Sequence, residues 1–299
     1  MCAGIGCIAC GLGPGCGHRD PPPAEAAESA HVGLVARLHN IPTGKALREL
    51  RALQCRLGKD WALIPAEKRA STLRIISGMF LYEGKLGPAC ELRMEALEVT
   101  GTHADSRSDN ADLAFTAYLA ALTGKKAILE RLERMRTGDP WRDYFAILRR
   151  WSQARDTDLE RAVRALEAKG GARVPAPLVA WTRFVLARSR AQMGEPEVAL
   201  RILTEEVAPF LKALRPGVWH VLLVWAEIAE KAGAREDVLF IARKLQAHLS
   251  PELGSYARIG RDRVQAIIDR VAKHEAAVPE TSSAPTTRDS SQPADQRAR

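Results

Sequence analysis

The chain has 299 residues, 46% of them hydrophobic and 5% aromatic, and a formal charge of +8. That apolar content suffices for a sizeable core, but no stretch approaches the roughly 20 apolar residues of a membrane-spanning helix. Ala and Leu carry much of the apolar weight and strand formers are scarce, so packed helices are expected and sheets are not.

Residues 1–28 combine Cys2, Cys7, Cys10 and Cys16 with many glycines and then Pro21-Pro22-Pro23. With no helical period to bury, they read as a disordered leader and linker. Cys7-x2-Cys10, Cys16 and His18 are ligand types that zinc prefers, but the loop between them is short, no second Cys-x2-Cys follows and no apolar shelter lies nearby. No metal and no cofactor is assigned. Small residues before Cys10 and Cys16 resemble a lipoprotein cleavage region, which makes a membrane-anchored lipoprotein the alternative to a cytoplasmic protein. A basic segment ahead of them is lacking, and glycines break the apolar run. The glycines at 11–17 run into proline instead of opening a helix, so they do not form a phosphate loop.

From 29 to 275 the sequence reads as one helical domain. Helices are expected near 30–39, 44–57, 65–83, 87–99, 109–123, 125–136, 140–154, 158–169, 177–193, 195–213, 217–232, 235–248 and 252–274. Pro65, Asp139-Pro140 and Pro251-Glu252 prepare first turns. Residues 276–299, rich in Ser, Thr, Pro and charge, cannot offset their ordering entropy by burial and are expected to be disordered.

A register recurs inside the domain. Gly84, Gly124, Gly194 and Gly233 each separate two helices, and a tight reversal there needs positive φ. Seven residues before each stands a small residue, Ser77, Ala117, Ala187 or Ala226. Five residues after come Ala89, Leu129, Ala199 and Val238. Small residues at fixed offsets let the two helices of a hairpin approach closely. The interval between Gly124 and Gly194 is double length and holds a further unit, with its turn at Ala154-Arg155-Asp156-Thr157 and Ala162 in the position after the turn.

The segments Leu186–Leu203 (LARSRAQMGEPEVALRIL), Trp225–Ala242 and Ser77–Leu97 resemble the tetratricopeptide family, with its large-small pair, turn glycine, small residue and closing apolar residue. The spacing here exceeds the family's roughly 34 residues, and Arg190 or Ala229 stands where a tyrosine is usual. The resemblance implies an all-α, right-handed solenoid of antiparallel hairpins that holds a peptide or partner helix in a concave groove. It therefore implies a protein-binding scaffold or adaptor and not an enzyme.

Candidate binding residues come from two places. The basic-aromatic stretch Arg131–Arg155 includes Arg134, Arg142, Arg149 and Arg150, which could grip carboxylates in pairs. With its tryptophans and tyrosine it could instead hold nucleic acid, the alternative function. Trp141, Phe145, Leu148 and Trp151 also fit a buried stripe with the arginines facing water. Arg190 and His220, the latter beside Trp219, complete the set, although a histidine flanked by core aromatics is more often a packing residue. The surplus of charge is arginine-dominated: Lys fills 11 of the 44 basic positions, leaving 33 Arg.

Overall fold

A computed structural model describes residues 23–38, 40–101, 107–153, 158–170, 174–248 and 255–277. The leader cysteines, His18, the turn at 154–157 and the tail from 278 lie outside these residues. All regular elements among them are helical: α1 (Pro23–Leu38), α2 (Thr43–Leu57), α3 (Ala66–Tyr82), α4 (Leu86–Thr100), α5 (Arg107–Leu122), α6 (Lys126–Met135), α7 (Asp139–Ser152), α8 (Leu159–Gly170), α9 (Ala176–Gln192), α10 (Pro196–Arg201), α11 (Val218–Lys231), α12 (Arg235–His248) and α13 (Ser255–Ala277).

Four boundaries differ from the sequence expectation, one of them the tail expected from residue 276, whose first two residues end α13. Helix α1 begins at Pro23, inside the linker expected to run to residue 28. Proline suits a first helical turn, and Ala27, His31, Leu34 and Leu38 form a buried stripe at helical spacing. A short 3-10 turn, Gly58–Leu63, was not anticipated. The continuous helix expected over 195–213 breaks into α10, a π segment (Ile202–Val207) and a 3-10 turn (Ala208–Leu214). Pro209 is the reason: it has no N–H to give back to residue 205, and its ring crowds that carbonyl.

The four glycine turns are built alike. Gly84, Gly124, Gly194 and Gly233 have φ of 75°, 68°, 86° and 68°. In each, the residue after the glycine donates its N–H to a carbonyl five residues back: Lys85 to Phe80, Lys125 to Ala120, Glu195 to Arg190 and Ala234 to Ala229, at 2.8–3.0 Å. The glycine's own N–H closes onto the carbonyl three residues back. Left-handed glycine thus satisfies carbonyls that a helix end leaves open. Ser77, Ala89, Ala117, Ala187, Ala199 and Ala226 are all fully buried, and the Ser77 hydroxyl donates to the Ala89 carbonyl across the first hairpin at 2.9 Å.

Helices pack pairwise as α3/α4, α5/α6, α7/α8, α9/α10 and α11/α12. Neighbouring pairs are tied by side-chain bonds spanning 34 to 44 residues, among them Arg51–Glu95, Lys125–Glu91, Arg164–Glu206 and Arg270–Glu230. Beneath them a buried set joins three helices: Arg93 of α4 and Arg74 of α3 share the carboxylate of Asp112 on α5. The packing also closes on itself. Helix α5 touches both α7 and α9, and α13 reaches back from α12 to α3. Between these helices lies an aromatic core in which Tyr118 stacks on Trp181 (4.6 Å) and Trp151 (5.5 Å), and Phe115 on Trp181 (5.1 Å).

Candidate binding site

Two arginines border this core: Arg93, paired with Asp112 and 4.8 Å from the Phe115 ring centre, and Arg188, which meets no carboxylate among the described residues. On α9, Trp181, Phe184 and Arg188 follow one another at i, i+3 and i+7, so the apolar stripe ends in a guanidinium. Arg188 Nη1 donates to the Tyr118 hydroxyl and lies 3.5 Å from His220 Nε2. Its guanidinium carbon sits 5.5 Å from the Trp151 ring centre and 6.0 Å from that of Tyr118. Because the guanidinium can only donate, the phenol proton is free to point at His220 Nε2, 2.9 Å away.

The C-terminal end of α3 and helix α13 complete the surroundings. Tyr82 meets Trp219 edge-on at 4.9 Å, and the Tyr82 carbonyl accepts a hydrogen bond from Arg263 Nη1 at 3.0 Å. The indole N–H of Trp219 is buried and has no acceptor among the described residues. The imidazole of His220 is held down to a pKa of about 3, first by burial and then by the charges of Arg188 and Arg263. Burial pushes the Tyr118 phenol up to about 12, against the opposing pull of Arg188. Near neutrality both groups are uncharged and neither exchanges a proton readily. With both groups neutral, the pair can orient a ligand or a neighbour through its hydrogen bonds.

The sequence-derived candidates do not gather at one place. Trp141, Phe145, Leu148 and Trp151 are buried, at 6%, 0%, 0% and 7% exposure, so these rings serve the core. Arg142, Arg149 and Arg150 are exposed on the outside of α7, and Arg134 on α6. Arg149 pairs with Glu133, Arg142 lies 3.8 Å from Asp139, and Arg190 bridges Glu160 and Glu195. His220 alone of the six belongs to the inner cluster. Arg188, Tyr118, Trp219 and Arg263 were missed. Arg188 was within reach, since a charge on an apolar stripe is a readable anomaly. Arg263 was not, because its place depends on α13 meeting α3.

Among the described residues, no group of three His, Cys, Asp or Glu is placed to hold a metal ion, and no helix is long and apolar enough to cross a membrane. No protein-family model, curated protein or solved structure matches the chain.

Proposed function

We propose that the chain is a non-enzymatic interaction module, a right-handed solenoid of tetratricopeptide-like hairpins that holds a segment of a protein partner at the inner ends of its helices. The observation that carries this reading is the pair of half-buried guanidinium groups, Arg188 and Arg263, which meet no carboxylate among the described residues. Several other sheltered arginines do meet one, Arg74 and Arg93 with Asp112, Arg183 with Glu167 and Arg190 with Glu160, while Arg69 donates to the Ile64 carbonyl. Support for the repeat architecture comes from the four identical turns and from ion pairs recurring at about one repeat length. The inner face is filled by Tyr118, Trp181 and Phe184, which are fully buried, so the partner engages the rim around Arg188, His220 and Arg263 and does not lie along an open groove.

Nucleic-acid binding finds less support. Base stacking needs exposed rings, and those of the basic-aromatic stretch are in the core. Capture from the native cell, followed by reconstitution from purified proteins, is expected to give a saturable complex that survives physiological salt. Retention on heparin at physiological salt, with a labelled-RNA shift that collapses as salt rises, would overturn the reading in favour of nucleic acid.

A further inference from the structure

Helix α1 lies against α2, α3 and the 3-10 turn between them, with Ala27, His31, Leu34 and Leu38 buried beneath it. Side-chain bonds tie it down at three levels. Glu28 pairs with Lys68 of α3, His31 Nε2 lies 2.8 Å from the Thr72 hydroxyl of α3, and Arg37 pairs with Glu49 of α2 at 3.3 Å. Trp61 of the turn meets the His31 ring edge-on at 5.9 Å.

On both flanks the fit is open. A cleft of about 320 Å³ lies between α1 and α2, from Ala30 and Arg37 across to Leu53 and Arg56. A second, of about 370 Å³, lies between α1 and α3, from Val32 and Ala36 across to Ser71 and Ile75. Apolar walls left facing water forfeit burial that a fuller side chain would gain, and Val32 is 55% exposed.

Nothing in the packing requires α1 to fit so loosely. Ala30 and Ala36 stand at the cleft walls, where there is space for longer side chains. A Cβ at Gly33 would meet only the flexible end of Arg37, at 3.7 Å. That glycine serves no close approach, and it weakens the helix relative to alanine. His31 is 3% exposed, and its Nδ1 is buried with no hydrogen-bond partner among the described residues. A buried polar atom left unpaired costs stability.

We propose that the surface beneath α1 is a groove for an amphipathic helix of a protein partner, and that α1 is its weak resident occupant. Fit and charge define the partner helix. It carries an apolar stripe in the register of residues 27, 31, 34 and 38, with leucine-sized side chains where α1 has Ala30 and Ala36. An acid near one end meets Lys68, as Glu28 does. A base nine residues further on, about 14 Å along the axis, meets Glu49, as Arg37 does and as Lys45 approaches at 3.9 Å. An amphipathic helix laid in a groove is a recurring mode of recognition. The groove uses none of the rim residues Arg188, His220 and Arg263, so the two surfaces stand or fall separately.

The test uses the full chain and a labelled synthetic peptide of residues 23–38 that carries Ala30→Leu and Ala36→Leu. The peptide is expected to bind saturably and to speed amide exchange of the chain's own α1 about tenfold or more as it takes its place. A peptide of the native α1 sequence is expected to bind about tenfold more weakly. His31→Ala in the chain loosens α1 and leaves the groove unchanged. It is expected to tighten peptide binding, because apparent affinity follows the fraction of chains whose groove is open. Ala30→Leu with Ala36→Leu in the chain itself is expected to slow exchange of α1 about tenfold. No binding to the His31→Ala chain, binding that leaves exchange of α1 unchanged, or faster exchange of α1 in the leucine-substituted chain overturns the groove. Loss of peptide binding in Arg263→Met also overturns it, since the peptide would then sit at the rim.

Discussion

On the outer faces arginine meets carboxylate from one hairpin to the next, as in Arg51 with Glu95, Arg164 with Glu206 and Arg270 with Glu230. Nearer the aromatic core the inner arginines, Arg188 of α9 and Arg263 of α13, meet a phenol, an imidazole and a backbone carbonyl instead. The outer pairs are local and half-solvated, so each adds little to stability, and together they cancel most of the charge they carry. Arg188 lies beside the rings of Tyr118 and Trp151 and Arg263 against the Tyr82–Gly84 turn, both half-buried, where an uncancelled charge costs more than in open water. A positive charge retained under those conditions is better placed to receive something than to hold the fold together.

The sharpest way to break this contrast is through the core that frames the inner arginines. Trp181 is fully buried against Tyr118, Phe115 and Phe184. Trp181→Ala should therefore cost about 4 kcal/mol, read as a lowered urea midpoint. Gly217 is next. A Cβ there would lie 2.6 Å from Phe115 Cε2 and 2.7 Å from Trp181 Cη2, and neither buried ring has room to give way. Gly217→Ala should cost about 2–3 kcal/mol by overpacking. If either variant is as stable as the native chain, the inner cluster is looser than described here.

Acid should act through two sheltered histidines, one in the inner cluster and one on α1. His220 is held at about 3, and His31, beside Thr72 at 2.8 Å, is lowered below 6.5 by burial first and then by Lys68, against Glu28. A lowered histidine stabilises the fold fully above its unfolded value of about 6.5. Below that value the unfolded chain gains a proton that the folded one refuses, so stability falls as pH drops from 6.5 toward the folded value. Each histidine contributes at most about 1.4 kcal/mol per pH unit. Urea denaturation at pH 7 and pH 4.5 should show a smaller difference for His220→Gln than for the native chain. The smallest effect belongs outside. Arg164→Ala, at a side chain 45% exposed, should cost less than about 1 kcal/mol and should lose even that at high salt.

Much of the local fold was legible in the sequence, for physical reasons that differ from element to element. The turns could be read because positive φ selects glycine, and because close helix approach selects small residues at fixed offsets from it. Helix α1 was begun too late because its early residues are alanine, glutamate and proline, which look like a linker until Ala27 is seen to share a stripe with His31 and Leu34. The break after Arg201 was missed because the apolar period runs on through Pro209, while the backbone cannot. At the site, His220 could be noticed beside Trp219. Its partner Tyr118 lies 102 residues away, and the contact of Arg263 with Tyr82 spans 181 residues, distances at which no single-sequence pattern carries information.

The most direct test of the contrast between inner and outer arginines uses a partner recovered from the native cell and purified. Its affinity is measured for the native chain, for Arg263→Met and for the outer double variant Arg134→Ala/Arg150→Ala. The inner substitution is predicted to weaken binding about tenfold or more, and the outer pair to leave it within about twofold. Loss of binding in the outer variant with full affinity in the inner one would contradict the assignment of the inner rim as the site of recognition.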